Sequence, residues 1–369
     1  METITEWLQS GGLRLCHGEG LRTDLAPLTV DERLRDRVEG MLLGLAVGDS
    51  LGNTSESMSP WNRTAAYGEI RDFLPNPYNN ERRGYPSDDT QLSAWTLDCL
   101  LAHGRIQPAD LAKRFAAHRI IGIGSTVRAF LREWNSGRPW WESGQVSAGN
   151  GALMRIAPVL LPHLATGGTG LWEDVALAAA LTHNDATSTS ACLAFCAQLR
   201  ELLSMEQPPE PDWWWRRYVD IASSLEGDPR LHTRGGRFTD WEGPLWRFVH
   251  EKLTQALHQG QSTRQACDSW YSGAYLLETV PSVLFILARH AQDPEEALVR
   301  AVNDTRDNDT VAAIVGAAVG ALHGASGLPR RWVEHLTGIV ELDTDGPYEE
   351  GRYQRLVATA CERFLPQGV

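Results

Sequence analysis

One stretch constrains the fold of this chain more than any other. From Ala301 it reads Ala-Val-Asn-Asp-Thr-Arg-Asp-Asn-Asp-Thr and runs on into Val-Ala-Ala-Ile-Val-Gly-Ala-Ala-Val-Gly-Ala-Leu-His-Gly, ending at Gly324. The second half is an apolar helix too short to span a membrane, and Gly316 and Gly320, four apart, suit close helix packing in a crowded centre. Asp307, Asp309 and the Thr310 hydroxyl fall at its start. Capping alone accounts for such residues, because carboxylates and hydroxyls satisfy the free N–H groups of a first turn. An echo far upstream goes beyond capping: Ser87-Asp88-Asp89-Thr90 also heads an apolar helix. Two such clusters suggest one shared, oxygen-rich metal site.

At 369 residues with 42% hydrophobic content, the chain can build one large core or two ordinary ones. A formal charge of -13 argues against general electrostatic binding to nucleic acid, while leaving a modified nucleic-acid end open as a substrate. The six cysteines are scattered without a Cys-x-x-Cys and read as reduced thiols. The N-terminus has neither the basic start nor the apolar run of a signal peptide, and no stretch reaches transmembrane length. A cytoplasmic protein with no membrane contact is expected.

Strand signals are scarce and helical patterns recur with short breaks, so the fold class is all-α. Residues 1–28 form a candidate N-terminal arm, in which Ile4, Trp7 and Leu8 make one apolar turn; residues 29–369 form one domain. Thr29-Val-Asp-Glu32 matches a capping box, opening a first helix that ends in the small-residue run Gly44-Leu-Ala-Val-Gly48-Asp49-Ser50-Leu51-Gly52, with Glu56 just beyond. Residues 61–85 read as a loop, and one helical pattern continues from Pro108 towards Trp134. Ser147-Ala148-Gly149-Asn150-Gly151-Ala152-Leu153-Met154-Arg155 is a glycine-rich turn able to cradle phosphate, with Arg155 available for charge pairing. His183 stands at a helix junction. The Trp/Arg-rich segment at about 207–270 reads as an elaboration outside the core, its tryptophans serving either partial packing or a platform for a base or partner.

In this order the motifs resemble the ADP-ribosylglycohydrolase family (dinitrogenase reductase-activating glycohydrolase and ADP-ribosyl-acceptor hydrolase type), over roughly Asp31 to Gly324. The family's Gly-x-x-x-Gly-Asp-Ala-Leu-Gly reads here as Gly44 to Gly52, its Thr-Asp-Asp-Thr as Ser87 to Thr90, its Gly-Asn-Gly-Ala-x-Met-Arg as Gly149 to Arg155, and its Thr-His as Thr182-His183. The closing Gly-Gly-Asp-Thr-Asp-Thr departs: it is Thr305-Arg306-Asp307-Asn308-Asp309-Thr310, so both glycines are replaced and Arg306 adds bulk and charge near the bound sugar.

The resemblance implies a compact all-α domain with a binuclear cleft holding two divalent cations, Mg2+ or Mn2+, on Ser87, Asp88, Asp89, Asp307, Asp309 and Thr310. Hard cations require oxygen ligands, so the donor types agree. It further implies catalytic roles for Asp88, Asp89 and Asp307, with Glu56 as acid–base or gating residue, and ADP-ribose binding by Gly149, Asn150, Gly151, Ala152, Met154, Arg155 and His183. The implied activity is hydrolysis of the link between ADP-ribose and an acceptor on a modified protein or small molecule, most simply protein arginine. Serine-linked, O-acetyl or base-linked ADP-ribose is the alternative within the enzyme class. A different alternative is a protein that blocks an ADP-ribosyltransferase through residues 1–28.

Overall fold

The computed structural model describes residues 12–16, 23–77, 79–341 and 349–366, and among these the chain is helical, with isolated β-bridges and no strand. Helices of eight or more residues are, in chain order, α1 (Glu32–Asn53), α2 (Pro60–Tyr67), α3 (Asp88–His103), α4 (Pro108–Ala117), α5 (Ser125–Asn135), α6 (Gly170–Ala180), α7 (Ala186–Leu202), α8 (Pro211–Ala222), α9 (Leu245–His258), α10 (Leu276–His290), α11 (Pro294–Asp304), α12 (Asn308–His323) and α13 (Arg352–Phe364). None of the described helices is long and apolar enough to cross a membrane.

The axis of the molecule is an antiparallel pair, α1 and α12, in contact backbone to backbone. Gly40, Gly44, Gly48 and Gly52 recur every four residues and therefore share one face of α1. A Cβ on Gly44 would lie 2.2 Å from the Gly316 carbonyl oxygen, one on Gly48 2.0 Å from that of Ala312, and one on Gly52 2.4 Å from Asp309 Cα. The contact is reciprocal, because a Cβ on Gly320 would lie 1.9 Å from the Gly40 carbonyl oxygen. Each helix-interior glycine costs about 1 kcal/mol in helix propensity, a loss offset here by packing that no side chain would permit. The run Gly44 to Gly52 is thus helix through to Asn53 rather than the end of it. The close approach expected of these small residues is present, and the tight turn is not.

Other boundaries differ for local reasons. The cap of α1 is Asp31, whose Oδ1 accepts from Leu34 N over 2.7 Å, so Glu32 falls at the first helical position and no capping box forms. The stretch expected as loop from residue 61 contains α2, started by Ser59 and Pro60. The pattern from Pro108 is two helices, α4 and α5, parted by a turn in which Gly122 has φ 72°.

Residues 207–270 correct the sequence reading. Trp214, Trp215 and Tyr218 of α8, Phe248 of α9 and Trp270 are all buried in the core, and Trp270 Nε1 donates to Ser282 Oγ of α10 over 2.8 Å. The amphipathic faces of α8 and α9 bury the first four of these rings and Trp270 packs against Phe285 of α10, so packing, not an exposed platform, accounts for them.

The described part of the arm lies against its own domain. Leu13 is buried, Cys16 N donates to Leu225 O (2.9 Å), Trp172 Nε1 donates to Thr23 O (2.9 Å), and Leu28 N donates to Leu164 O (2.7 Å). Ile4, Trp7 and Leu8, on which the apolar-turn expectation rests, are outside the described residues.

Candidate active site

The pairing of α1 with α12 sets the C-terminal end of α1 against the start of α12, and the start of α3 meets both. Asp49 is the hub. Fully buried on α1, its carboxylate accepts from Ser87 Oγ (2.6 Å), Ser87 N (2.9 Å), Thr90 N (3.1 Å) and the Thr90 hydroxyl. One helix thereby caps the next, because Ser87 itself makes no side-chain cap bond to α3. Sequence reasoning missed this residue as part of the site, although an aspartate within a glycine-spaced helical face was the available signal.

Carboxylate oxygens of Asp49, Asp89 and Asp309 lie within 4.8 Å of one another, and so do those of Glu56, Asp307 and Asp309, so Asp309 belongs to both groups. Asp88 joins them at the cleft surface. Among the described residues the two nearest arginines are bonded elsewhere and form no ion pair with these six acids: Arg63 is tied to Val302 O, Thr305 O and Ser55 Oγ, and Arg234 to Glu278. Burial therefore raises every one of them. It is the first cause for Asp88, pushed up to about 8 with help from Asp49, for Glu56 at about 7 with help from Asp307, and for Asp307 at about 6. Asp49, Asp89 and Asp309 shift the same way.

This donor set fits hard divalent cations. It offers oxygen alone, it gathers negative charge that Arg63 and Arg234 offset only from a distance, and Asp89 Oδ1 is a buried oxygen with no hydrogen-bond partner. Thr310 adds its hydroxyl, which donates to Asp89 Oδ2 over 3.3 Å. The Ser87 hydroxyl is directed at Asp49 and Asp89 rather than into the cleft.

Across the cleft stands the glycine turn. Gly149, Asn150, Gly151 and Met154 line it, and the turn is fastened to the start of α10 by Leu276 N donating to Ala148 O (2.9 Å). Asn150 Nδ2 donates to Asp307 Oδ2, joining the turn to the acids. His183 lines the cleft as well and packs against the turn: a Cβ on Gly151 would lie 2.9 Å from its Cε1. Burial, and then Arg155, hold its pKa down at about 3, so the ring is neutral.

Arg155 and Ala152 do not reach the cleft. Arg155 is fully buried; its Nη2 donates to Ala178 O (3.0 Å) and Thr182 Oγ1 (2.8 Å), and its guanidinium lies over the Phe115 ring. The reason is the short 3-10 turn Leu153–Arg155, which carries residue 155 inward beneath the loop. The expected diphosphate contact of Arg155 is thus replaced by a scaffold contact. Lining residues not anticipated from sequence include Ser125 and Thr126 in the first turn of α5, whose cap Gly124 leaves the N–H groups without a side-chain acceptor, and Arg234 and Tyr275.

A family model described as ADP-ribosylglycohydrolase matches residues 30–363. The chain is 28% identical to the ADP-ribosyl-[dinitrogen reductase] glycohydrolase of Rhodospirillum rubrum, over 84% of this chain and 92% of that protein. It is 26% identical to the ADP-ribosylarginine hydrolase Tri1 of Pseudomonas putida (strain GB-1), over 86% of this chain and 78% of that protein. A solved structure titled ADP-ribosylglycohydrolase-related protein complex superposes with a TM-score of 0.61 at 26% identity, covering 89% of this chain and 97% of the other.

Proposed function

This chain belongs to the ADP-ribosylglycohydrolase family of enzymes, and we propose that its acidic cleft hydrolyses, with divalent metal, the bond between ADP-ribose and a modified acceptor. The observation that carries the reading is the pair of acidic groups sharing Asp309 on one side of the cleft, with the Gly149–Gly151 turn on the other. The Gly151 N–H, with those of the first turn of α5, would hold the diphosphate, because Gly149 N already donates to Ser147 Oγ and Asn150 N to Ala274 O. The distal ribose would then lie towards Asp88, Asp307 and Asp309, where carboxylates stabilise the positive charge that develops at the anomeric carbon. Glu56, with its carboxyl held near 7, can carry a proton at neutral pH and would take one from the attacking water or give one to the departing acceptor. Magnesium or manganese, held by Asp49, Asp88, Asp89, Asp307, Asp309 and Thr310, would supply charge that orients hydroxyls and polarises water. Six free cysteines support a reducing, cytoplasmic setting.

The similarity to the ADP-ribosylarginine hydrolase of Pseudomonas putida supports arginine as the acceptor. Arg306, beside the cleft, favours a second reading in which the acceptor is not cationic. Release of ADP-ribose from arginine-, serine- and base-linked substrates, each with magnesium and with chelator, tests the proposal. Metal-dependent release from at least one, lost in Asp309→Asn, is expected; no release from any of them overturns it.

A further inference from the structure

Beyond Glu56 and Asp307 the cleft opens into a second cavity of ≈ 340 Å³, which also shares Arg234 and Ala274 with it. Its own walls are Ser57, Met58, Ser59, Tyr271, Gly273 and Arg306. We propose, resting on the hydrolase reading above, that this cavity receives the acceptor, and that Arg306 selects a peptide acceptor bearing an oxyanion, carboxylate or phosphate, next to the ADP-ribose link.

Three observations support this. The first is position: Glu56 and Asp307 face both spaces, so a bond broken beside them has ADP-ribose on the glycine-turn side and the leaving group on the Arg306 side. In that step the water oxygen bonds to the anomeric carbon while the carbon–acceptor bond breaks. Its electron pair stays on the acceptor atom, which takes up a proton from the water.

The second is charge. Arg234 is spent on Glu278, with Nη2 to Oε2 at 2.7 Å. The guanidinium of Arg306 forms no ion pair among the described residues; it is stacked 4.6 Å from the Tyr271 ring, and its Nε is buried with no hydrogen-bond partner. Asp268 is its carboxylate neighbour without being bonded to it, so this half-buried guanidinium still has donors to offer an oxyanion and repels a second guanidinium.

The third is strain. Of the four described non-glycine residues with positive φ, Ser57 (68°) and Tyr271 (78°) line this cavity, and Ser272 (47°) adjoins it. The amides of Arg306 and Asp307 both donate to Ser272 O, at 3.2 and 3.1 Å. A Cβ on Gly235 would lie 2.5 Å from the Tyr271 ring, so that ring is wedged between Gly235 and Arg306. Unfavourable backbone held on both walls of one cavity is the mark of a fixed recognition surface. The chain's net charge of -13 makes a peptide, not a nucleic-acid polymer, the fitting acceptor.

The test uses the full chain and ADP-ribosylated peptides identical except beside the modified residue, which is flanked by glutamate, phosphoserine, glutamine or lysine. We expect kcat/KM to rank the glutamate and phosphoserine peptides above glutamine and glutamine above lysine, with about tenfold or more between the extremes. The two anionic arms tell carboxylate from phosphate preference. Arg306→Lys should keep the ranking, Arg306→Gln should level it and Arg306→Glu should invert it, with melting curves confirming that each variant is folded. Equal rates for all flanks, a preference for lysine, or an unchanged ranking in Arg306→Gln overturns the inference while leaving the hydrolase reading intact. Absence of release from every peptide, each prepared with arginine-linked and with serine-linked ADP-ribose, overturns the inference, and the hydrolase reading falls with it only if base-linked substrate is also left intact.

Discussion

The side-chain amide of Asn150 lies 2.5 Å from Asp307 Oδ2 and 3.0 Å from Thr279 Oγ1, so one group holds the glycine turn, the start of α10 and the acidic cluster together. The bond to Asp307 is charge-assisted, a type that contributes about 1.5 to 3 kcal/mol. Asn150→Ala should therefore lower kcat/KM by roughly tenfold to a hundredfold and weaken binding of free ADP-ribose, with a smaller effect on melting temperature. Unchanged calorimetric affinity for ADP-ribose would remove the link from the account.

The acids make stability depend on pH in a stated direction when metal is stripped away. Asp307, Glu56 and Asp88 have folded values of about 6, 7 and 8, above their ordinary 3.8 to 4.5, so between about pH 4 and pH 8 the native state binds more protons than the unfolded state. Their contribution is whole below pH 4 and declines as pH rises through that window. In chelator the melting temperature should fall from pH 5 to pH 8, magnesium should raise it more at pH 8 than at pH 5, and calorimetry should detect proton release on metal binding. A melting temperature in chelator that rises across this range contradicts the arrangement, and Asp309→Asn should flatten the slope.

Gly48→Ala tests the helix pair. Its Cβ would meet main-chain atoms of Ala312 and Ala313, which cannot rotate away. Overpacking of this kind costs about 1 to 3 kcal/mol, or more where backbone must move. A lowered melting temperature together with reduced turnover is the expected result, since Asp49 is the next residue. Full stability would mean that the helices separate freely.

Arg155→Met is expected to act through the fold. Removing the guanidinium deprives Ala178 O and Thr182 Oγ1 of their donor beneath the glycine turn. Thermal stability should fall, while affinity for ADP-ribose, measured where the variant is folded, should change less than in Asn150→Ala. A larger loss of affinity than of stability would return Arg155 to the binding surface.

Much of the site was legible because Ser87 to Asp89 and Asp307 to Thr310 announce helix starts while carrying more acid than a cap needs. The all-α class followed from periodicity, and the crowded centre from Gly316 and Gly320. Asp49 was hidden because its partners, Ser87 and Thr90, are about forty positions away, and only the fold brings them together. Arg155 was misplaced for the opposite reason: its chain neighbours line the cleft, but a 3-10 turn reverses the direction of its own side chain. Arg234 sits in a loop with no periodic pattern, so nothing in the chain aimed it at the site. The tryptophans of α8 were read by their number; the face of the helix that carries them decides their fate.

The glycine face between α1 and α12 bears on how such a site can change over time. Asp49 and Asp309 hang from helices that touch through main-chain atoms, so no side-chain rotamer stands between them. Core residues elsewhere can be exchanged and repacked without altering the spacing of those two acids. At the rim, Arg306 is held by its own amide and by the Tyr271 ring rather than by the helix pair, so the preference for one acceptor over another can drift by exchange of that side chain while the acidic centre stays in register.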